Sequence, residues 1–230
     1  LKRLAHVSTL ALTAVTTAGM LGALWMIFLY APEEKVMGAV QRIFYFHVPA
    51  AIACFASVFV LLGASIAYLW RREAVWDAMA LAAAEIGFVL CTIVLVTGPI
   101  WAKPAWGVWW TWEARLTTTL ILWLLLAACL MVRSYAENRE QGARLAAVLG
   151  IVAALDVPII HKAVEWWRGQ HPQVFGPGKS EGLAPGMRET FLVSLIVFFL
   201  LYAVLMLLRT RLALLEDRAR ALAERAGIAR

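Results

Sequence analysis

Six runs of about twenty apolar residues constrain this chain more than any motif in it. They fall at residues 8–30, 49–70, 77–100, 117–132, 145–164 and 190–208. A helix rising about 1.5 Å per residue needs about that many residues to cross a hydrocarbon core of about 30 Å. The fourth run is the shortest, so its helix is expected to start within the segment before it. The composition agrees: 63% of the 230 residues are hydrophobic and 16% charged, against about 45–50% and about 25% in an ordinary soluble domain. Period-two alternation broken by turns, the mark of a transmembrane barrel, is absent. The predicted fold is an all-α membrane protein with six transmembrane helices in a lipid bilayer. The first run exceeds a signal-peptide core and lacks a convincing cleavage site, so it is read as a retained helix. Residues 1–210 form one six-helix domain on this reading, and residues 211–230 an amphipathic cytoplasmic tail.

The net charge of +6 is a topology signal and calls for no nucleic acid. Lys and Arg accumulate in cytoplasmic segments. Alternate connections hold Lys2, Arg3, Arg71, Arg72, Arg133, Arg139, Arg144, Arg209 and Arg211 on one side, whereas Glu33, Glu34, Glu113, Glu165, Glu181 and Glu189 dilute the basic residues of the other. Both termini are therefore assigned to the cytoplasm, and connections 31–48, 101–116 and 165–189 to the outer, periplasmic face. The tail places Leu212, Leu215, Ala219 and Leu222 at helical intervals, as a helix on the inner membrane surface or docked on a cytosolic subunit would.

Cys54, Cys91 and Cys129 lie inside apolar runs, without a CxxC or CxxCH pattern. That gives no support to a disulfide framework, a thiol redox pair or a covalently attached c-type haem. Buried small hydrophobes are the expectation.

The outward connections hold the unusual chemistry. In "RIFYFHVPAA", Pro49 suits the first turn of a helix, which sets His47 just above the start of the second span. That is a ligand-like position, although taken alone an interfacial His bonded to a loop carbonyl is the plainer reading. "HKAVEWWRGQHPQ" supplies His161 near the end of the fifth span, read as polar packing beside Asp156 and Pro158, and the freer His171 in a Gly/Pro-rich loop. "WAKPAWGVWWTWEARL" puts five tryptophans into sixteen residues. Trp25, Trp70, Trp76 and Trp123 fit an ordinary interfacial belt. A belt spreads over many helices, however, and does not gather Trp101, Trp106, Trp109, Trp110 and Trp112 in one connection. Indole faces stack on extended π systems, so a porphyrin is a natural partner, with two histidines on its iron and Arg42, Arg115 and Arg188 available to its propionates.

The segment "WGVWWTWEARLT" resembles the tryptophan-rich WWD signature of a haem-handling superfamily, and the six-span length resembles its smallest member, the CcmC family of cytochrome c maturation. "RIFYFHVPAA", "VTGPIWAKPAWG" and "PIIHKAVEWW" look like further family segments in the family's order, so the resemblance covers most of residues 40–190. It implies a protein of the bacterial inner membrane that presents haem b, non-covalent and in transit, at the outer face and delivers it to a membrane-tethered haem chaperone. It also implies His47 and His171 as axial ligands and the tryptophans as platform. His161 matches a family His not expected to be axial. Glu113 stands where the signature usually has Asp, and Ala102 where it usually has Gly.

Delivery of this kind needs no classical catalytic site, so no enzyme is expected. Two other classes fit parts of the sequence: a bis-His b-type electron carrier, and a haem-translocating permease subunit of an ABC-type complex. The chain has no Walker A pattern, so ATPase and permease subunits would be partner chains. Glu85, inside the third span, matches no family role. An unpaired carboxylate there costs about 2.5–3.5 kcal/mol, so it is expected to be paired or neutral.

Overall fold

In the computed structural model the described residues are 2–167 and 183–227, and they form six long helices without a β-strand. The helices are α1 (Lys2–Trp25), α2 (Phe44–Arg71), α3 (Ala74–Trp106), α4 (Ala114–Tyr135), α5 (Arg139–Trp167) and α6 (Pro185–Arg225). All six are long and apolar enough to cross a membrane. A π-helical turn, Met26–Tyr30, extends α1, and a 3-10 turn, Ala39–Ile43, leads into α2. The chain reverses at each connection, so the bundle has two ends. One gathers connections 31–38 and 107–113, the tryptophan end; the other gathers connections 72–73 and 136–138, the arginine end.

Packing concentrates on α2, α3, α4 and α5. Ala50, Ala53, Val58, Ala83, Leu122, Leu126 and Ala153 are buried in one core. Small residues let these backbones approach, as is usual where lipid offers no hydrophobic drive for association. Gly150 shows the limit: a Cβ there would lie 2.9 Å from both Leu61 Cγ and Ser65 Oγ of α2. All three cysteines are free and buried, as expected. Cys54 Sγ lies 3.5 Å from the Gly87 carbonyl.

The helices overrun their apolar runs, which corrects two local readings. Pro49 is not in the first turn of α2, because the helix begins at Phe44. Packing secures the extra turn: Tyr45 is buried, and the Phe44 ring lies 5.1 Å from that of Phe191 on α6. His47 is thus part of the helix. Likewise α3 continues through Pro99 and Pro104 to Trp106, so Trp101 and Trp106 are helical and the connection shrinks to residues 107–113. Gly107 ends the helix with φ +77°, a left-handed conformation that suits glycine. As anticipated, α4 is the shortest helix and starts at Ala114, within the Trp-rich segment.

Trp123 departs from the belt reading. Its ring stacks on Phe88 at 5.0 Å and its Nε1 donates to Thr92 Oγ1 at 2.8 Å, which places it between α3 and α4. By contrast Trp25 and Trp70 are exposed, as belt residues are.

The 41 residues of α6 form one helix about 60 Å long, roughly twice a hydrocarbon core. The tail therefore continues α6 without a break as far as Arg225. Arg209 reaches across to Glu85 in a two-pronged ion pair of 2.5 and 2.8 Å, the partner that the intramembrane carboxylate required. Nearby, Asp77 at the start of α3 pairs with Arg133 of α4 at 2.7 Å and Arg139 of α5 at 3.5 Å. Arg139 also pairs with Asp217 of α6. Four helices are tied together at this end.

Candidate functional site

His47 projects from the first turn of α2 onto the stretch of α3 at the tryptophan end. Its Nδ1 lies 2.8 Å from Thr97 Oγ1, and a Cβ on Gly98 would stand 3.6 Å from its Cε1. The residue is partly buried. Trp101 follows Thr97 by four residues on α3, which places the two on one helix face. The Trp101 ring meets Trp106 edge to face, with centroids 5.1 Å apart and planes at 87°.

Beyond Gly107 the chain leaves helical geometry until Ala114. Lys103 Nζ holds the turn by donating to the Gly107 carbonyl at 2.8 Å and lies 6.0 Å from the Trp109 ring centre. Trp110 and Trp112 pack edge to face at 5.7 Å and 78°. Trp109 is 58% exposed and Trp112 76% exposed. The Trp110 Nε1, by contrast, is buried without a hydrogen-bond acceptor among the described residues. Buried indole N–H groups usually find a partner, so this segment is not a self-sufficient core. Glu113 is the N-cap residue of α4, where its backbone carbonyl accepts from the Thr117 N–H at 3.0 Å.

The three candidate cations have different settings. Arg115, in the first turn of α4, donates from Nε to the Ile160 carbonyl of α5 at 3.3 Å. Arg42 is 3.8 Å from Glu33, a loose contact. Arg188 is exposed on the first turn of α6, beside a cleft lined by Leu183, Pro185, Glu189 and Leu192. Connection 31–38 beneath Arg42 is a compact turn, in which the N–H groups of Met37 and Val36 donate to Glu34 Oε2 at 2.5 and 2.8 Å. Those bonds hold the Glu34 carboxyl below the usual range.

His171 lies outside the described residues. His161 is exposed on α5, in place of the polar packing read for it, while Asp156 one turn earlier is buried. The sequence reading missed Thr97. Its signal was a hydroxyl residue inside an apolar run, directly before Gly98 and Pro99, where a side chain has few acceptors besides backbone carbonyls and a neighbouring helix.

The arrangement is tested against a flat iron-bearing ligand by its own features. Among the described residues it offers exposed indole faces, an indole N–H without an acceptor, and an imidazole hydrogen-bonded through Nδ1. Those features fit such a ligand.

Comparison with known proteins gives the same direction. The chain is 38% identical over 197 residues to heme exporter protein C of Escherichia coli strain K12, covering 84% of this chain and 78% of that protein. It is 36% identical over 201 residues to the protein of the same name in Paracoccus denitrificans, covering 84% and 81%. With the Rhodobacter capsulatus protein the identity is 34% over 218 residues, covering 94% and 90%. Six spans and bacterial relatives make it a multi-pass protein of the bacterial inner membrane. The profile of the CcmC family, described as heme exporter protein C, matches residues 1–225, and the chain belongs to that family.

Proposed function

We propose that this protein holds haem b, non-covalently and in transit, at the tryptophan end of its bundle and delivers it to a membrane-tethered haem chaperone for c-type cytochrome biogenesis. The coarser part of that reading, a haem-handling role in cytochrome c maturation, follows from membership of a family described as heme exporter protein C. One observation supports the finer part most directly: exposed Trp109 and Trp112 share one end of the bundle with an imidazole anchored through a single nitrogen.

Trp101, Trp106, Trp109, Trp110 and Trp112 would cradle the macrocycle, and Glu113 sets the start of α4 beneath them. His47 and His171 would ligate the iron, while Arg42, Arg115 and Arg188 would meet the propionates. Bound haem supplies an iron centre with two axial positions; the chain contributes binding and orientation, and no catalytic step is assigned to it. A bis-His electron carrier usually buries both ligands within its bundle. Here His47 lies at the bundle's end, which favours delivery. ABC-type ATPase and permease subunits are the proposed partners, and both termini are proposed to be cytoplasmic, with the tryptophan end in the periplasm.

The visible spectrum of the detergent-purified protein tests the reading. Pyridine-extractable haem with a low-spin spectrum is expected, and His47→Ala should perturb that spectrum until imidazole is added. Absence of haem from preparations made in haem-replete cells, with no binding of added haem, would falsify it. Orientation is tested separately with single cysteines. One at Gly107 should react with an impermeant reagent from outside and one at Asn138 should not; the opposite pattern would turn the site to the cytoplasm.

A further inference from the structure

We infer that Thr97 is a positioning residue that sets the tautomer of His47, so that the imidazole offers Nε2 as an unprotonated ligand. Thr97 Oγ1 lies 2.6 Å from the Ile93 carbonyl oxygen, one turn back on α3. Two oxygens that close need a hydrogen between them, and the carbonyl has none. A threonine hydroxyl has a single hydrogen and two lone pairs, so its O–H donates to Ile93.

His47 Nδ1 sits 2.8 Å from the same Oγ1. With the hydroxyl hydrogen already placed, this second contact is a hydrogen bond only if Nδ1–H donates to Oγ1. A neutral imidazole protonated on Nδ1 has a lone pair on Nε2. That nitrogen is the one left to meet iron. Partners of this kind orient ligating histidines and raise their basicity. The relay therefore runs from the Ile93 carbonyl through Thr97 to the far nitrogen of His47, joining α3 to α2 across fifty positions of sequence.

Gly98 completes the geometry. A Cβ there would stand 3.6 Å from the His47 Cε1, so the ring edge that carries Nδ1 and Cε1 faces α3, with Nδ1 toward Thr97.

The role toward iron rests on the reading of His47 as a ligand, whereas the tautomer does not, so two measurements separate them. Solid-state 15N NMR of haem-free protein with labelled histidine reads the tautomer directly, with the His47 signals identified by their loss in His47→Ala. Nδ1 should appear protonated and Nε2 unprotonated. The reverse pattern would overturn the inference without touching the ligand reading. The second measurement adds haem to Thr97→Val and Thr97→Ser. Valine keeps the shape and removes the acceptor, so ligation should weaken about 10–100-fold, with low-spin character lost and then restored by imidazole. Serine should behave as the native residue. A Thr97→Val protein with native spectrum and native haem dissociation, beside a His47→Ala protein with neither, would also overturn the inference. If His47→Ala itself keeps the native spectrum, the ligand reading fails, and the role of Thr97 toward iron fails with it.

Discussion

At the arginine end, Asp77 has 5% of its side chain exposed and Arg133 14%, and each faces an opposite charge. At the tryptophan end, Trp109 and Trp112 are exposed among the described residues. One end spends its charged groups on holding helices together. The other leaves aromatic area exposed, while each end has, among the described residues, a buried indole N–H without an acceptor, Trp76 at the first and Trp110 at the second. Closed charge networks fix a scaffold, because a buried ion without its partner is costly, while uncovered aromatic surface is what a ligand or partner can bury. The contrast supports the proposal that haem is met at the tryptophan end, while the ion pairs of the arginine end hold the scaffold.

Asp77→Asn should break that contrast most severely where it concerns rigidity. It leaves Arg133 buried with its closest counter-charge gone, which typically costs about 3–5 kcal/mol. Thermal unfolding in mild detergent should show a large loss of stability, while the fraction that remains folded keeps the native haem spectrum. A near-native melting temperature would mean that the network is ornamental. Replacing Trp109 and Trp110 together by Ala should do the reverse. Haem occupancy should fall about tenfold or more, equivalent to about 1.4 kcal/mol or more, with little change in melting temperature, and added imidazole should not restore it. Full occupancy in that variant would make the rings a docking surface for the chaperone. The smallest effect is expected at Gly98→Ala. The new methyl meets His47 Cε1 at 3.6 Å, an ordinary contact, so both stability and haem spectrum should stay within about 0.5 kcal/mol of native. A marked spectral change there would show that the ring must sit closer to α3 than this geometry has it.

Legibility in the sequence followed the same division. The Trp cluster was plain to read because five rings of one type in a short segment is a local anomaly. Its geometry was not: Trp101 and Trp106 belong to α3, since the prolines at 99 and 104 do not end that helix. Pro49 misled for a related reason. A proline is tolerated at a helix start, but α2 gains an extra turn from Phe44 packing on Phe191, a contact that local propensity cannot foresee. Glu85 was recognisable as a charge in need of a partner, and only the fold supplied Arg209.

By itself the sequence determined the number, type and order of the helices and the gathering of unusual chemistry at one end. Apolar length and the alternation of connections are properties of neighbouring residues, and the bilayer enforces them span by span. Tertiary structure alone decided which polar groups meet. His47 and Thr97 are 50 positions apart, and Glu85 and Arg209 are 124 apart. Their pairing depends on the rotation and axial offset of packed helices, which many side chains fix jointly and no single segment records.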